Sequence, residues 1–174
     1  MTIPTYQGTV GALRAARACI IAETPAVLSA AASGLSLTLP VFATVYSGEM
    51  QPPNIVLPAC GVFIPTSGMM VPSVNDAYDM QHTMVCDITI EGGGPDSPTI
   101  TDFEETAQAY AQAVSYAFSA KFATPGESYG LPVGCYTCDV VESYSMEPQP
   151  TEQSGRFRRT VRTTLTIMQR MPRI

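Results

Sequence analysis

Charge is scarce in this chain of 174 residues: Asp, Glu, Lys and Arg together make up 14%, against roughly a quarter of an average soluble domain. There is one lysine, Lys121, and one histidine, His82. Affinity for phosphates grows with the number of cationic contacts, so a formal net charge of −6 with a single lysine excludes a general nucleic-acid binder. No GxSxG is present to pair His82 with a nucleophile, and the triple glycine at 92–94 has neither the GxxxxGK[ST] lysine nor a GxGxxG pattern to cradle phosphate. No run reaches the roughly 20 apolar residues of a membrane span, and Met1-Thr-Ile-Pro lacks the positive start of a signal peptide. The sequence therefore predicts a soluble protein, made and used without export, with no membrane partner. Hydrophobic residues reach 45%; so little charge over so much apolar material suggests that part of the surface is covered in an assembly.

The cysteines are odd in number, five, and sit mostly in apolar runs, as reduced, buried thiols do. Cys135-Tyr-Thr-Cys138 has redox spacing, but a redox pair needs its first cysteine at a helix N-terminus, where the thiolate is stabilised. Here the pair lies in an expected strand, where positions three apart face opposite sides. A zinc site needs two further ligands at suitable spacing, and neither a second CxxC nor an HxxxH exists. Asp102, Glu104 and Glu105 cluster as catalytic carboxylates do, but at a helix start they serve the cap and the dipole. No catalytic residues, metal or cofactor are assigned, and a non-enzymatic protein is expected. The competing reading from another class is a small thiol or metal enzyme using Cys135, Cys138 and His82.

What is present is a division of charge. Residues 1–155 carry Arg14, Arg17 and Lys121 against all fifteen carboxylates, a balance of −12, and the last nineteen residues carry six arginines and no carboxylate, +6. Such a chain offers the basic element of one copy to the acidic surface of another. The basic end also alternates as a strand does: Phe157, Val161, Leu165 and Ile167 share one face, while Arg156, Arg158, Thr160, Arg162, Thr164 and Thr166 share the other. An ordered arginine row follows, unlike a disordered basic arm.

The rest of the chain reads as α+β. Val10, Leu13, Arg17, Ile20 and Ile21 repeat at helical spacing; Thr24-Pro25 caps and starts a further turn or two, and Gly34 ends it. Leu35 to Val45 alternates as a strand, and Asn54 to Ile64, with Pro58 inside, reads as an edge strand or a bulge. Residues 65–80 form a long exposed loop or loose hairpin in which Met69, Met70 and Met80 offer an adaptable contact surface. His82 to Glu91 is the clearest strand before the tail, and the Gly/Pro-rich segment at about 91–100 is a tether. Thr101-Asp-Phe-Glu104 has capping-box spacing and opens a helix to about Ser119. Its apolar face is Phe103, Ala107, Tyr110, Val114 and Phe118; Glu104, Glu105, Gln108 and Gln112 face solvent or a neighbour. Cys135–Met146 and Phe157–Met168 close the chain as an antiparallel pair. The expectation is a single domain over 1–174, order α-β-β-β-α-β-β, with the helices on one face of a mainly antiparallel sheet.

In size and element order, from the amphipathic first helix through the acidic helix at Thr101–Ser119 to the arginine-bearing closing strand, the chain resembles the tail-terminator and head-to-tail joining (neck, tail-completion) proteins of bacteriophages. The resemblance covers most of the chain, and the loops at 65–80 and 91–100 depart from a typical short member. It implies a homo-oligomeric ring, usually a hexamer, on the last tail-tube ring. That ring would end tube growth and join the tail to the neck connector or stopper protein, with genomic DNA passing through without sequence-specific binding. Virion location after assembly in the host cytoplasm follows. In that setting the candidate interface residues are Arg156, Arg158, Arg159 and Arg162 on the basic side, Asp102, Glu104 and Glu105 on the acidic side, and Met69 and Met70 in the loop. Within the same class the alternatives are a tail-tube subunit or a head-closure stopper; a host ligand-binding module is a third class.

Overall fold

Alanine decides how the first helix packs. In the computed structural model, which describes residues 9–49, 52–65, 69–72, 77–92, 100–119, 135–146, 149–151 and 157–172, helix α1 spans Thr9–Leu35 without a break. Its buried stripe is Ala12, Ala15, Ala16, Cys19, Ile20, Thr24 and Leu28, while Val10 and Ile21, expected on the inner face, are exposed. Small side chains on that stripe let α2 (Ile100–Ala117) approach closely. The facing side of α2 is also alanine-rich, with Ala107, Ala113 and Ala117 fully buried, and the Cys19 thiol donates to the Ala117 carbonyl at 3.5 Å.

Pro25 lies inside α1 rather than starting a second helix. Proline removes the donor that would have met the Ile21 carbonyl, and Ile21 is 57% exposed, so water can serve that oxygen. Thr24 is not a cap: its hydroxyl donates back to the Ile20 carbonyl at 2.7 Å. The helix ends past Gly34, at Ser36, whose φ of 56° is left-handed, and Leu37 N–H bonds back to the Ala32 carbonyl at 3.2 Å. That six-to-one bond is the Schellman closure with serine in place of glycine. Because the helix runs through Pro25, Val10–Leu35 is long and apolar enough to cross a membrane by length and composition, with mean hydropathy 1.5; in this fold one side of it packs on α2 and the sheet.

The strands are β1 (Thr44–Ser47), β2 (Ala59–Phe63), β3 (Met69–Pro72), β4 (Ala77–Gly92), β5 (Cys135–Ser145), β6 (Gln149–Pro150) and β7 (Phe157–Pro172). Their order across the sheet is β1-β2-β4-β7-β5, with β3 also on β4 and β6 also on β7. Among the described residues β1 pairs with β2 in parallel and the other pairings are antiparallel. The chain is thus α+β, with both helices on one face of a mainly antiparallel sheet. Residues 69–81 include an antiparallel β3–β4 pairing, the hairpin alternative of the two expected. Two strand expectations are corrected. Residues 36–43 run irregularly after the left-handed Ser36, so the first strand is only Thr44–Ser47. Pro58, whose bond to Leu57 is cis, precedes β2, which is therefore free to pair on both sides and is not an edge.

Alternation on β4 places His82, Met84, Cys86, Ile88 and Ile90 against the helices, all buried. Val62, Cys60, Val161 and the fully buried Thr163 continue that layer, and Phe103, Ala107, Tyr110, Val114 and Phe118 meet it from α2 as one face. Gly92 is required by this packing, since a Cβ there would lie 2.7 Å from the Phe103 ring.

Candidate functional site

The central strand pair reunites the two charges that the sequence separates. β4 and β7 run antiparallel through sixteen residues each, and their register sets Glu91 opposite Arg158, Asp87 opposite Arg162 and Asp79 opposite Arg170. Arg162 donates to both carboxylate oxygens of Asp87, Nε to Oδ1 at 2.7 Å and an Nη to Oδ2 at 2.6 Å, and its guanidinium lies 5.6 Å from the centre of the Phe63 ring. Arg158 reaches Glu91 at 3.6 Å. Between the two pairs, the Thr89 and Thr160 hydroxyls meet at 3.3 Å. This ladder lies on the face of the sheet away from the helices.

Arg159 is one residue out of that phase and turns to the helix side. It forms an ion pair with Glu104 of α2, and its guanidinium lies 5.8 Å from the centre of the Phe103 ring. Glu104 accepts from Arg159 through Oε2 and from Gln108 through Oε1 at 3.0 Å, and α2 already begins at Ile100. In this way Glu104 ties the start of α2 to β7 through Arg159 and to its own next turn through Gln108. Arg158, Arg159 and Arg162 thus have carboxylate partners in their own chain, while Glu105 is exposed and Asp102 is half-buried. Arg156 lies outside the described residues. Met69 and Met70 sit in β3 opposite Gln81 and Met80.

His82 is buried in β4 opposite Ile167, and Ile167 is also the register partner of Cys138. One strand therefore separates the histidine from the cysteine, about 10 Å at ordinary strand spacing. Cys135 and Cys138 both lie in β5, as expected. A bulge between Cys135 and Thr137 sets them opposite Gln169 and Ile167, two apart on β7, so the alternation expected of an unbroken strand does not hold across it. Cys19, Cys60 and Cys86 are buried thiols outside any disulfide, and among the described residues no group of three or more His, Cys, Asp or Glu is placed to hold a metal ion.

A groove of about 930 Å³, which the sequence did not reveal, opens at the Gly92–Arg158 end of the central strands. Leu35, Leu37, Val56 and Leu57 form one wall, Phe103 and Tyr110 the other; Glu91, Asp102, Glu105 and Arg158 are its charged members. Hydrogen bonds fix both walls. The Tyr110 hydroxyl donates to the Pro40 carbonyl at 2.5 Å, and its ring lies 5.2 Å from that of Phe42. The 55–58 turn is held by Ala43 N–H to Pro58 O at 2.8 Å and Thr44 Oγ1 to Val56 O at 2.9 Å. Burial raises the Tyr110 pKa; burial first, then the charge of Asp87 and Cys60, raises that of Tyr46. The sequence signal for the walls was the density of proline at Pro40, Pro52, Pro53 and Pro58, which disfavours regular strand.

Among solved structures, the chain is similar to one from the virion of a native gene transfer agent particle. The two are 16% identical, covering 84% of this chain and 92% of that one, with a TM-score of 0.32. No protein-family model matches the sequence, and no curated protein does.

Proposed function

We propose that this chain is a structural virion protein that forms a homo-oligomeric ring at the head-proximal end of a phage-type tail tube, ending tube growth and joining the tail to the neck. The observation that carries this reading is the architecture: two alanine-faced helices on one side of a mainly antiparallel sheet, closed by an arginine-bearing strand, in the element order that the resemblance to tail terminators implies. No catalytic role is proposed for Asp102, Glu104 or Arg159; Glu104 and Arg159 form an ion pair, and Arg159 lies against the Phe103 ring. The intrachain pairing of Arg158, Arg159 and Arg162 supports a modified view of assembly. These arginines stiffen the central strands, and contacts between copies use surfaces beyond the ladder.

The test is size-exclusion chromatography with light scattering, alone and with purified tail tubes. A ring-sized oligomer, or a monomer that joins only tube ends, fits the proposal. Spontaneous growth into long tubes would instead assign the chain to the tail-tube subunit.

A further inference from the structure

We infer that Arg17 guards the open edge of the sheet and keeps β1 from accepting a strand of a second copy. Among the described residues β1 pairs with β2 alone, so its other side is an edge. The peptide groups along a strand point alternately to its two sides, and just past β1 the Gly48 N–H donates to the Val62 carbonyl of β2 at 3.0 Å. Tyr46 therefore faces β2 as well, and the N–H and C=O of Val45 and Ser47 face outward. The Arg17 guanidinium sits on that outward row, where an Nη donates to the Val45 carbonyl at 3.0 Å. Its Nε is buried with no hydrogen-bond partner, and among the described residues no carboxylate pairs with it. A half-buried cation held without a counter-charge is costly. What it does here is occupy an acceptor that an added strand would need.

The surroundings of this edge make a guard necessary. Val10, Arg14, Arg17 and Ile21 share one stripe of α1 at helical spacing, and Val10 and Ile21 are exposed on either side of Arg17. An open strand edge beside apolar side chains is a template for another chain, and a charged side chain turned onto the edge is one way to block it. Strand directions make β5 of a second copy a fitting addition. β2 runs with β1, β4 against β2, β7 against β4 and β5 against β7, so β5 runs opposite to β1. Among the described residues β5 is also the other edge of the sheet. A second copy in the same orientation thus presents β5 antiparallel to β1, and its own β1 is left open for the next copy. Arg17 stops that growth at its first step.

Arg17→Met in the full-length chain tests this, because it keeps an apolar stem and removes the donors. An added strand then has no charged hydrogen bond to displace, so association beyond the wild-type mass, read by light scattering, should begin at a concentration on the order of tenfold lower. Ser47→Pro removes an outward donor while Tyr46 and Gly48 keep their bonds to β2. Added to Arg17→Met, it should return the chain to the wild-type mass. An Arg17→Met chain that associates no more than wild type, or whose extra association survives Ser47→Pro, would overturn the inference. Wild type is the reference whatever its own oligomeric state, so the ring reading stands or falls separately. Circular dichroism checks folding. If Arg17→Met does not fold, Arg17→Gln, with its shorter side chain, takes its place under the same expectations. A chain that folds with neither makes Arg17 a packing residue and likewise overturns the inference.

Discussion

Arg162 grips Asp87 with two hydrogen bonds, 2.7 and 2.6 Å long, across the two central strands of the sheet. The sequence sets these residues 75 positions apart, in an acidic body and a basic tail. The fold makes them neighbours. With Glu91–Arg158 beside them, much of the charge asymmetry that suggests a meeting of two chains is met within one, by the antiparallel register of β4 and β7.

The first prediction concerns that pair. The Arg162 and Asp87 side chains are 27% and 15% exposed, sheltered enough that a lone charge is costly yet not fully desolvated. Asp87→Ala should lower unfolding stability by about 1 to 3 kcal/mol. A double-mutant cycle with Arg162→Ala should show clear coupling in denaturant melts. The Glu91–Arg158 pair, longer and more exposed at 3.6 Å, should contribute about 0 to 1 kcal/mol. Equal coupling energies for the two pairs would contradict this ranking.

Gly92→Ala should destabilise by about 1 to 3 kcal/mol through overpacking. The added methyl meets Phe103 at 2.7 Å, and Phe103 is itself buried against the sheet. Chemical denaturation of the variant, and of Gly92→Ala combined with Phe103→Leu, measures how much of the cost the smaller side chain relieves.

Gly34→Ala should have the opposite sign. Gly34 lies within α1, not at its left-handed end, and an added Cβ meets nothing within 4 Å. Helix propensity then stabilises the variant by about 0.5 to 1 kcal/mol, visible as a higher Tm. A lower Tm would mean that the helix ends at Gly34 after all.

Alkaline pH tests the groove wall. The Tyr110 and Tyr46 pKa values are raised from 10.0 in the folded chain, so above pH 10 the unfolded state releases protons that the folded state keeps. Stability is therefore undiminished below that pH and falls as pH rises through the folded values. Tyr110→Phe should remove part of that alkaline slope while costing about 0.5 to 1.5 kcal/mol at neutral pH, through the lost bond to Pro40. Urea titrations from pH 8 to 11 compare the two slopes.

The sequence carried the strongly periodic parts of this fold. Alternation located β4 and β7, and the 3.6-residue spacing of Phe103, Ala107, Tyr110, Val114 and Phe118 gave the buried face of α2, because burial on one face leaves a period behind. The first helix was misread in phase: alanines bury as readily as Ile21 or Val10 but attract less notice in a hydrophobic pattern. Its length was misread because Pro25 usually stops a helix, whereas here the freed carbonyl belongs to an exposed residue. The arginines were legible as an ordered row, but their partners were not, since cross-strand register is a tertiary property. The groove was invisible for the same reason, its walls coming from segments 36–40 and 55–58, β4 and α2.

The measurement that bears most directly on the proposal is negative-stain electron microscopy of tail tubes polymerised in the presence and absence of the protein. The proposal predicts a ring at one end of each tube and tubes that stop lengthening once capped. Tubes with bare ends that grow unchecked, beside a protein that remains monomeric, would contradict it.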